Sequence, residues 1–306
     1  MKTKFSRSKK SAAMVGMIVA MSIFGSIGFV AAKTGLHAFE LVFVRCVFAS
    51  IFLGVFWLLT GKFASEKWNK HEVKQIIFCG LILVLNWVFL FKAFEMMPVT
   101  VAVSIYYLAP VIVLLLGSLF YKEKLTVVTV LTISVCFLGT MLVSGLGTNT
   151  PFGELLSSGL IWAFLAAVLY AFLTLLSKNI RQLSSYAVTV IQTTLGAILL
   201  LPFVNFEAFI GLETSNWIAV TLIGSLHTGV VYFLFFGSVR HLSAGLISAL
   251  VFLDPIVAIL LDTMITGFRP SFLQMLGIVL TFIGMAITLM LSQNKRSAKV
   301  DESAAS

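Results

Sequence analysis

Apolar stretches of about 20 residues recur along the whole chain, each long enough to cross a hydrocarbon core of about 30 Å. Ten such spans are read at 12–32, 39–60, 75–94, 97–120, 126–145, 155–177, 184–204, 216–238, 242–265 and 271–291. None shows the strict alternation of a membrane β-strand, so helices are the only state that satisfies their backbone in lipid. The rest of the composition agrees: 59% of the 306 residues are hydrophobic and 11% charged, too little polar surface to cover a soluble domain of this length. The sequence predicts an all-α membrane protein.

The basic start, "MKTKFSRSKK", followed by an apolar run, has the outline of a secretory signal. The run is too long for one, and the repeat described below needs it as a retained first span. Cys46, Cys79 and Cys136 fall inside apolar spans without metal-ligand spacing, and read as small buried hydrophobes.

Positive charge marks cytoplasmic loops. With the N-terminus inside, the inside segments hold Lys2 to Lys10, Lys62 to Lys74, Lys122, Lys124, Lys178, Arg181, Arg240 and Lys295 to Lys299, or 17 of the 21 Lys and Arg residues. Outside loops receive only Lys33 and Arg269, while Arg45 and Lys92 lie within spans. The net charge of +9 is thereby explained by topology, and no basic groove interleaved with aromatics points to nucleic acid. Both termini are expected in the cytoplasm, with the chain in the cytoplasmic (inner) membrane.

Sliding the chain against itself by 145 residues exposes a repeat. Pro110 then meets Pro255, Gly139 meets Gly284, Lys33 meets Lys178 and Trp87 meets Tyr232. Each copy holds five spans, an odd number, so the copies must enter the membrane in opposite directions. The expected organisation is a basic tail (1–11), a first five-helix unit (12–145), an outside linker (146–154), a second unit (155–291) and a C-terminal tail (292–306). Inverted repeats of this kind bind substrate near the midplane, between the copies.

Four segments resemble the EamA family of the drug/metabolite transporter superfamily, and together they cover about residues 12 to 291. "SIFGSIGFVAAKTG" resembles the family's opening span, with Phe24 where Trp is common, and "ELVFVRCVFA" the second span, with Arg45 at the usual Arg. "FKAFEMMPVTVAVSIYYLAPVIVLLLGSLFYKEKLT" combines Pro110 with the ending Glu123 to Thr126. "HLSAGLISALVFLDPIVAILLDTMITGFRPSFLQMLGIVLTFIG" is the second-copy counterpart, with Asp254 at an acidic position before the proline and Phe268 where the family often repeats its Glu. The resemblance implies a ten-helix carrier for small metabolites, commonly an exporter.

Two aligned prolines, in "YYLAP" and "VFLDP", each remove one helical donor and free the carbonyl four residues earlier, at Tyr106 and Val251. Pro110 and Pro255 are expected to kink their helices, either as hinges or for packing alone. Asp254 falls near mid-span, where an ionised carboxylate costs at least about 2.5 kcal/mol on insertion scales. It reads as a proton-coupling or substrate-amine site, or as a residue that satisfies backbone near the kink. Arg45 binds a substrate carboxylate or forms an ion pair with Glu40 or another acid. Asn86, Trp87, Tyr106, Tyr107, Gln192, His227 and Tyr232 are further mid-span candidates for cavity walls, against the reading that each is core. Gly25, Gly28, Ser22 and Ser26 give the first span a small face suited to close packing. Glu123 reads as a loop charge and Asp262 as an interfacial one.

No nucleophile with a base, phosphate loop, zinc motif or cofactor fingerprint is present, and no soluble segment is long enough for a catalytic domain. The expectation is a secondary transporter of a small, amino-acid-like metabolite, working by alternating access with a proton as the candidate coupling ion. The alternatives are an uptake carrier, a drug exporter, or a membrane sensor that reuses the fold without moving anything.

Overall fold

The structure, a computed structural model, describes residues 2–96, 102, 105–121, 126–143, 158–265, 269–284 and 287. The expected linker 146–154, the tail 292–306, Glu123 and Phe268 lie outside these residues, as does the side chain of Asp262. Every regular element among the described residues is helical.

In chain order the helices are α1 (Lys2–Phe24), α2 (Ile27–Ala32), α3 (Ala38–Leu59), α4 (Lys70–Met96), α5 (Ala109–Tyr121) and α6 (Val127–Val143). They continue with α7 (Ser158–Ser177), α8 (Ser185–Leu200), α9 (Thr214–Gly224), a π-turn (Ser225–Val230), α10 (Val231–Val239), α11 (Ala244–Val251), α12 (Leu253–Ile265) and α13 (Phe272–Gly284). Six segments are long and apolar enough to cross a membrane, several of them formed by joined helices such as 214–239 and 244–265. Shorter apolar helices are Ala109–Tyr121, Val127–Gly139 and Phe272–Gly284.

Local chemistry marks the ends of these helices. Ser184 and Ser243 cap α8 and α11 by accepting from the amides of Ala187 and Leu246. Asn216 accepts from the Glu213 amide in a reciprocal box at the start of α9. Gly35 and Gly61, at φ 70° and 66°, make the left-handed turns that flank α3.

Four backbone irregularities divide what would otherwise be continuous spans. The expected first span, 12–32, is corrected to two helices separated at Gly25 and Ser26. There α1 meets the α11–α12 junction so closely that a Cβ on Gly25 would lie 2.7 Å from the Asp254 carbonyl oxygen. Gly28, one turn on, faces open space, so the small face of this span is only partly a packing face. Before Pro110 the chain turns at Tyr107 and Leu108, and α11 gives way to α12 at Phe252, three residues before Pro255. Both prolines thus sit in the first turn of the helix that follows, where the missing donor costs nothing. The π-turn at 225–230 completes the set.

Packing brings α4 along α7, α3 along α8 and α1 along α10, with α5 held by α7 and α11. At the far side α6 and α13 approach closely. A Cβ on Gly139 would lie 2.7 Å from Gly277 O, and one on Gly284 would lie 2.8 Å from Thr132 O. One end of the bundle is tied by Glu72, whose carboxylate accepts from the backbone amides of Arg181, Gln182 and Leu183 at 2.9–3.0 Å. Glu66 accepts from the amide and hydroxyl of Ser184, each at 2.7 Å.

Candidate functional site

The irregular turns deliver polar side chains to one central region. Asn86 and Trp87 come from α4, Tyr106 and Tyr107 from the turn before α5, Tyr170 from α7, Arg45 from α3, His227 and Thr228 from the π-turn, Tyr232 from α10 and Asp254 from α12. Backbone that departs from the α-helix at membrane depth is tolerated where it lines protein or a polar cavity, and these side chains are what it lines here.

Trp87 Nε1 donates to the Tyr232 hydroxyl at 2.9 Å, and the two rings meet edge to face at 5.2 Å. Both are nearly inaccessible, at 3% exposure. Phe24, Phe235 and Phe236 pack around Tyr232, and Tyr170 links Phe235 to Tyr106. Asn86 is fully buried; its amide donates to Ala166 O at 2.7 Å and to the Tyr106 hydroxyl at 3.3 Å, tying α4, α7 and the α5 turn together.

Arg45 is 2% exposed. Its Nε donates to Thr228 Oγ1 at 3.0 Å, and its guanidinium carbon lies 4.6 Å from the Trp87 ring centroid and 5.9 Å from that of Phe91. The expected ion pair with Glu40 is corrected: Glu40 accepts from the Asn205 amide at 2.9 Å, and no described carboxylate pairs with Arg45. Residues five apart on a helix point about 140° from each other, so the two side chains diverge. A desolvated cation–π contact contributes about 2 kcal/mol and a charged hydrogen bond about 1.5–3 kcal/mol. Together these offset the roughly 2.5–3.5 kcal/mol that an arginine costs at a span centre.

Asp254 is partly accessible, and among the described residues nothing hydrogen-bonds its carboxylate. It lies within electrostatic reach of the phenols of Tyr106, Tyr107 and Tyr170, while Arg45 reaches those of Tyr106 and Tyr232. Tyr106 is the group that both charges reach. His227 stands beside the α1–α2 break: Nε2 is 2.8 Å from Ser26 Oγ, and Nδ1 is 3.3 Å from Leu222 O.

Gln192 makes no hydrogen bond to this set. It is fully buried on α8, against Gly80 of α4, and neither amide atom has a partner among the described residues. Tyr107 belongs partly to another environment, an apolar cluster with Leu114, Ile133, Phe252 and Ile256. Sequence reading missed Tyr170 and Thr228. Tyr170 carried a signal, a lone phenol midway along an apolar span. Thr228 carried none, because its role depends on the π-turn, where its hydroxyl donates to Ile223 O five residues back at 2.8 Å.

A model of the EamA-like transporter family matches residues 11–145 and again 157–290. The uncharacterized transporter YxxF of Bacillus subtilis (strain 168) is 55% identical over 296 residues, 97% of this chain and 95% of that protein. An uncharacterized transporter of Clostridium kluyveri is 22% identical over 279 residues, 87% of this chain and 88% of that protein. A crystal structure of a protein with 18% sequence identity superposes at a TM-score of 0.77 over 93% of this chain and 99% of the other, a shared fold. With apolar helices along its described residues and a family match over most of its length, this multi-pass membrane protein belongs to the EamA-like transporter family.

Proposed function

We propose that the chain is a secondary transporter that moves a small, amino-acid-like metabolite outward across the cytoplasmic membrane by alternating access, with both termini in the cytoplasm. The observation that carries this reading is Asp254, a carboxylate without a described partner among phenols, at the crossing of two helix breaks. A group placed so can exchange a proton or a substrate amine with whichever side is open.

The working architecture is ten spans in two inverted units, about 12–145 and 155–291. Contacts between residues 145 apart in sequence support it. Trp87 bonds Tyr232, and Cys136 Sγ donates to Thr281 O at 3.6 Å. Gly139 packs on Thr281, and Gly284, its counterpart, packs on Cys136. Such reciprocal contact, i with j and j with i, is what a two-fold axis between matched copies produces. The partition of Lys and Arg supports the orientation.

Proteoliposomes loaded with an amino-acid mixture test the reading. Specific flux that collapses an imposed proton gradient is expected, and Asp254→Asn is expected to abolish the gradient-driven component. Absence of flux with every pool would overturn the transport reading in favour of a sensor. Unaltered gradient-driven flux in Asp254→Asn would remove Asp254 from the mechanism.

A further inference from the structure

The most buried cation in the centre lacks a counter-ion. Guanidinium nitrogens donate and never accept. Arg45 Nε is committed to Thr228, but no acceptor among the described residues reaches Nη1 or Nη2, and no described carboxylate pairs with the group. The aromatic faces of Trp87 and Phe91 fix the plane of the fork without filling its open edge.

Of the neighbouring groups, the Tyr232 hydroxyl adds a donor, and the Asn86 side-chain oxygen accepts from the Tyr106 hydroxyl at 3.5 Å. The Tyr232 hydroxyl already accepts from Trp87 Nε1, and its own proton finds no acceptor among the described residues. The Asn86 amide is held by Ala166 O. Three donors, Nη1, Nη2 and the Tyr232 hydroxyl, therefore belong to a region of at most 3% exposure with nothing of the described protein to receive them. What completes such a region is a ligand rich in acceptors that brings one negative charge.

We propose that Arg45 anchors a carboxylate of the transported molecule, bidentate across Nη1 and Nη2, with the Tyr232 hydroxyl as an additional donor. A planar carboxylate matches the guanidinium fork. A phosphate dianion fits less well, because it would need a second cation, and among the described residues Arg45 is the one Lys or Arg that lies beside Trp87 and Tyr232. Asp254 is the other unpartnered charge of the centre, so a molecule that carries an amine as well engages both ends. This inference rests on the transport reading for its substrate, but binding can be measured without flux.

The test uses the full chain in nanodiscs with three probes of one shape: leucine, 4-methylpentanoate (carboxylate without amine) and leucinamide (amine without carboxylate). Binding is read from the shift in unfolding temperature and from tryptophan fluorescence. Leucine and 4-methylpentanoate are expected to bind and leucinamide is not. Arg45→Gln is expected to weaken both by on the order of thirtyfold, while its unfolding temperature without probe is no lower than that of the parent. Binding of leucinamide as tight as leucine overturns the inference, as does carboxylate binding that survives Arg45→Gln or fails in the parent. If Arg45→Gln does not fold, Arg45→Lys carries the test. It keeps the charge without the fork, and carboxylate affinity about tenfold weaker is expected; unchanged affinity overturns the inference. Flux in proteoliposomes separates the two readings. Substrate flux indifferent to Arg45→Gln sinks this inference and leaves transport standing, whereas Arg45-dependent binding with no flux sinks transport and leaves the site.

Discussion

The buried Glu72 and the partly accessible Asp254 are two carboxylates that this protein treats in opposite ways. Glu72, in the first turn of α4, accepts from three successive backbone amides of residues 181–183, and Arg240 beside it donates to Leu183 O at 2.9 Å and Phe236 O at 3.0 Å. Asp254, at the centre, has no such partner among the described residues, and Arg45 has one bond and two aromatic faces. The Glu72 carboxylate meets its hydrogen-bonding demands within the protein, although Arg240 Nη2 beside it has no partner among the described residues; at the centre both charged groups are left open. A buried charge bonded to backbone is structure, whereas one held by a turn and left unpaired is an invitation to a ligand.

The sharpest way to break this contrast is at the clasp. Glu72→Gln sets an amide against the Leu183 N–H, and a loss of about 3 kcal/mol in unfolding free energy is expected by chemical denaturation in detergent. A cost under about 1 kcal/mol would mean that the clasp is not structural. Next comes the hydrogen bond inside the centre. Tyr232→Phe is expected to cost about 1–2 kcal/mol by stranding Trp87 Nε1, and a cycle with Trp87→Phe should return a coupling of about 1 kcal/mol. Asp254→Asn carries a smaller effect of opposite sign. Unfolding no easier than in the parent, and up to about 1 kcal/mol harder, is expected because the change removes an ionisable group that costs about 2.5 kcal/mol at mid-span. Marked destabilisation would give Asp254 the same role as Glu72.

The smallest effect is one of pH, beside the clasp. Burial, then Arg240, Lys9 and Arg181, hold the His241 imidazole below its ordinary value of 6.5. The unfolded chain therefore takes up a proton near that value, while the folded chain does so only at lower pH. Stability should fall as pH drops from about 6.5, and His241→Gln should flatten that slope in thermal melts across the same range. An unchanged slope would remove the positive cluster as its cause.

Much of this was legible from residues alone, and the misses have physical reasons. Trp87 and Tyr232 coincide under a shift of 145 residues, and the two side chains touch; under the proposed two-unit architecture, residues matched across an axis meet when they lie on it. The chemistry obeys no such rule. Val190, Val231, Val251 and Ala109 stand at the shifted positions of Arg45, Asn86, Tyr106 and Asp254, so the polar set belongs to one copy at each place. Gln192 bonds to none of the set, and mid-span depth gives a height in the membrane but not a direction around the helix. The Arg45–Glu40 pairing failed on spacing that could have been read, since five residues turn a helix well past one face. The break at Gly25 and the placement of Thr228 come from how α1 meets α12 and how the chain winds at 225–230, neither of which local pattern encodes.

The π-turn has a consequence for helical phase. One additional residue in a turn advances everything after it by about 100° around the axis. Gly224, before the turn, lies against Phe48 of α3, while Tyr232, after it, meets Trp87 of α4. Deleting a single residue between 225 and 230 would leave composition and hydropathy almost untouched, yet swing Tyr232 more than a quarter turn away from Trp87. One surplus residue thus lets a single rod present two different faces, the first half fitted to its neighbour and the second to the centre.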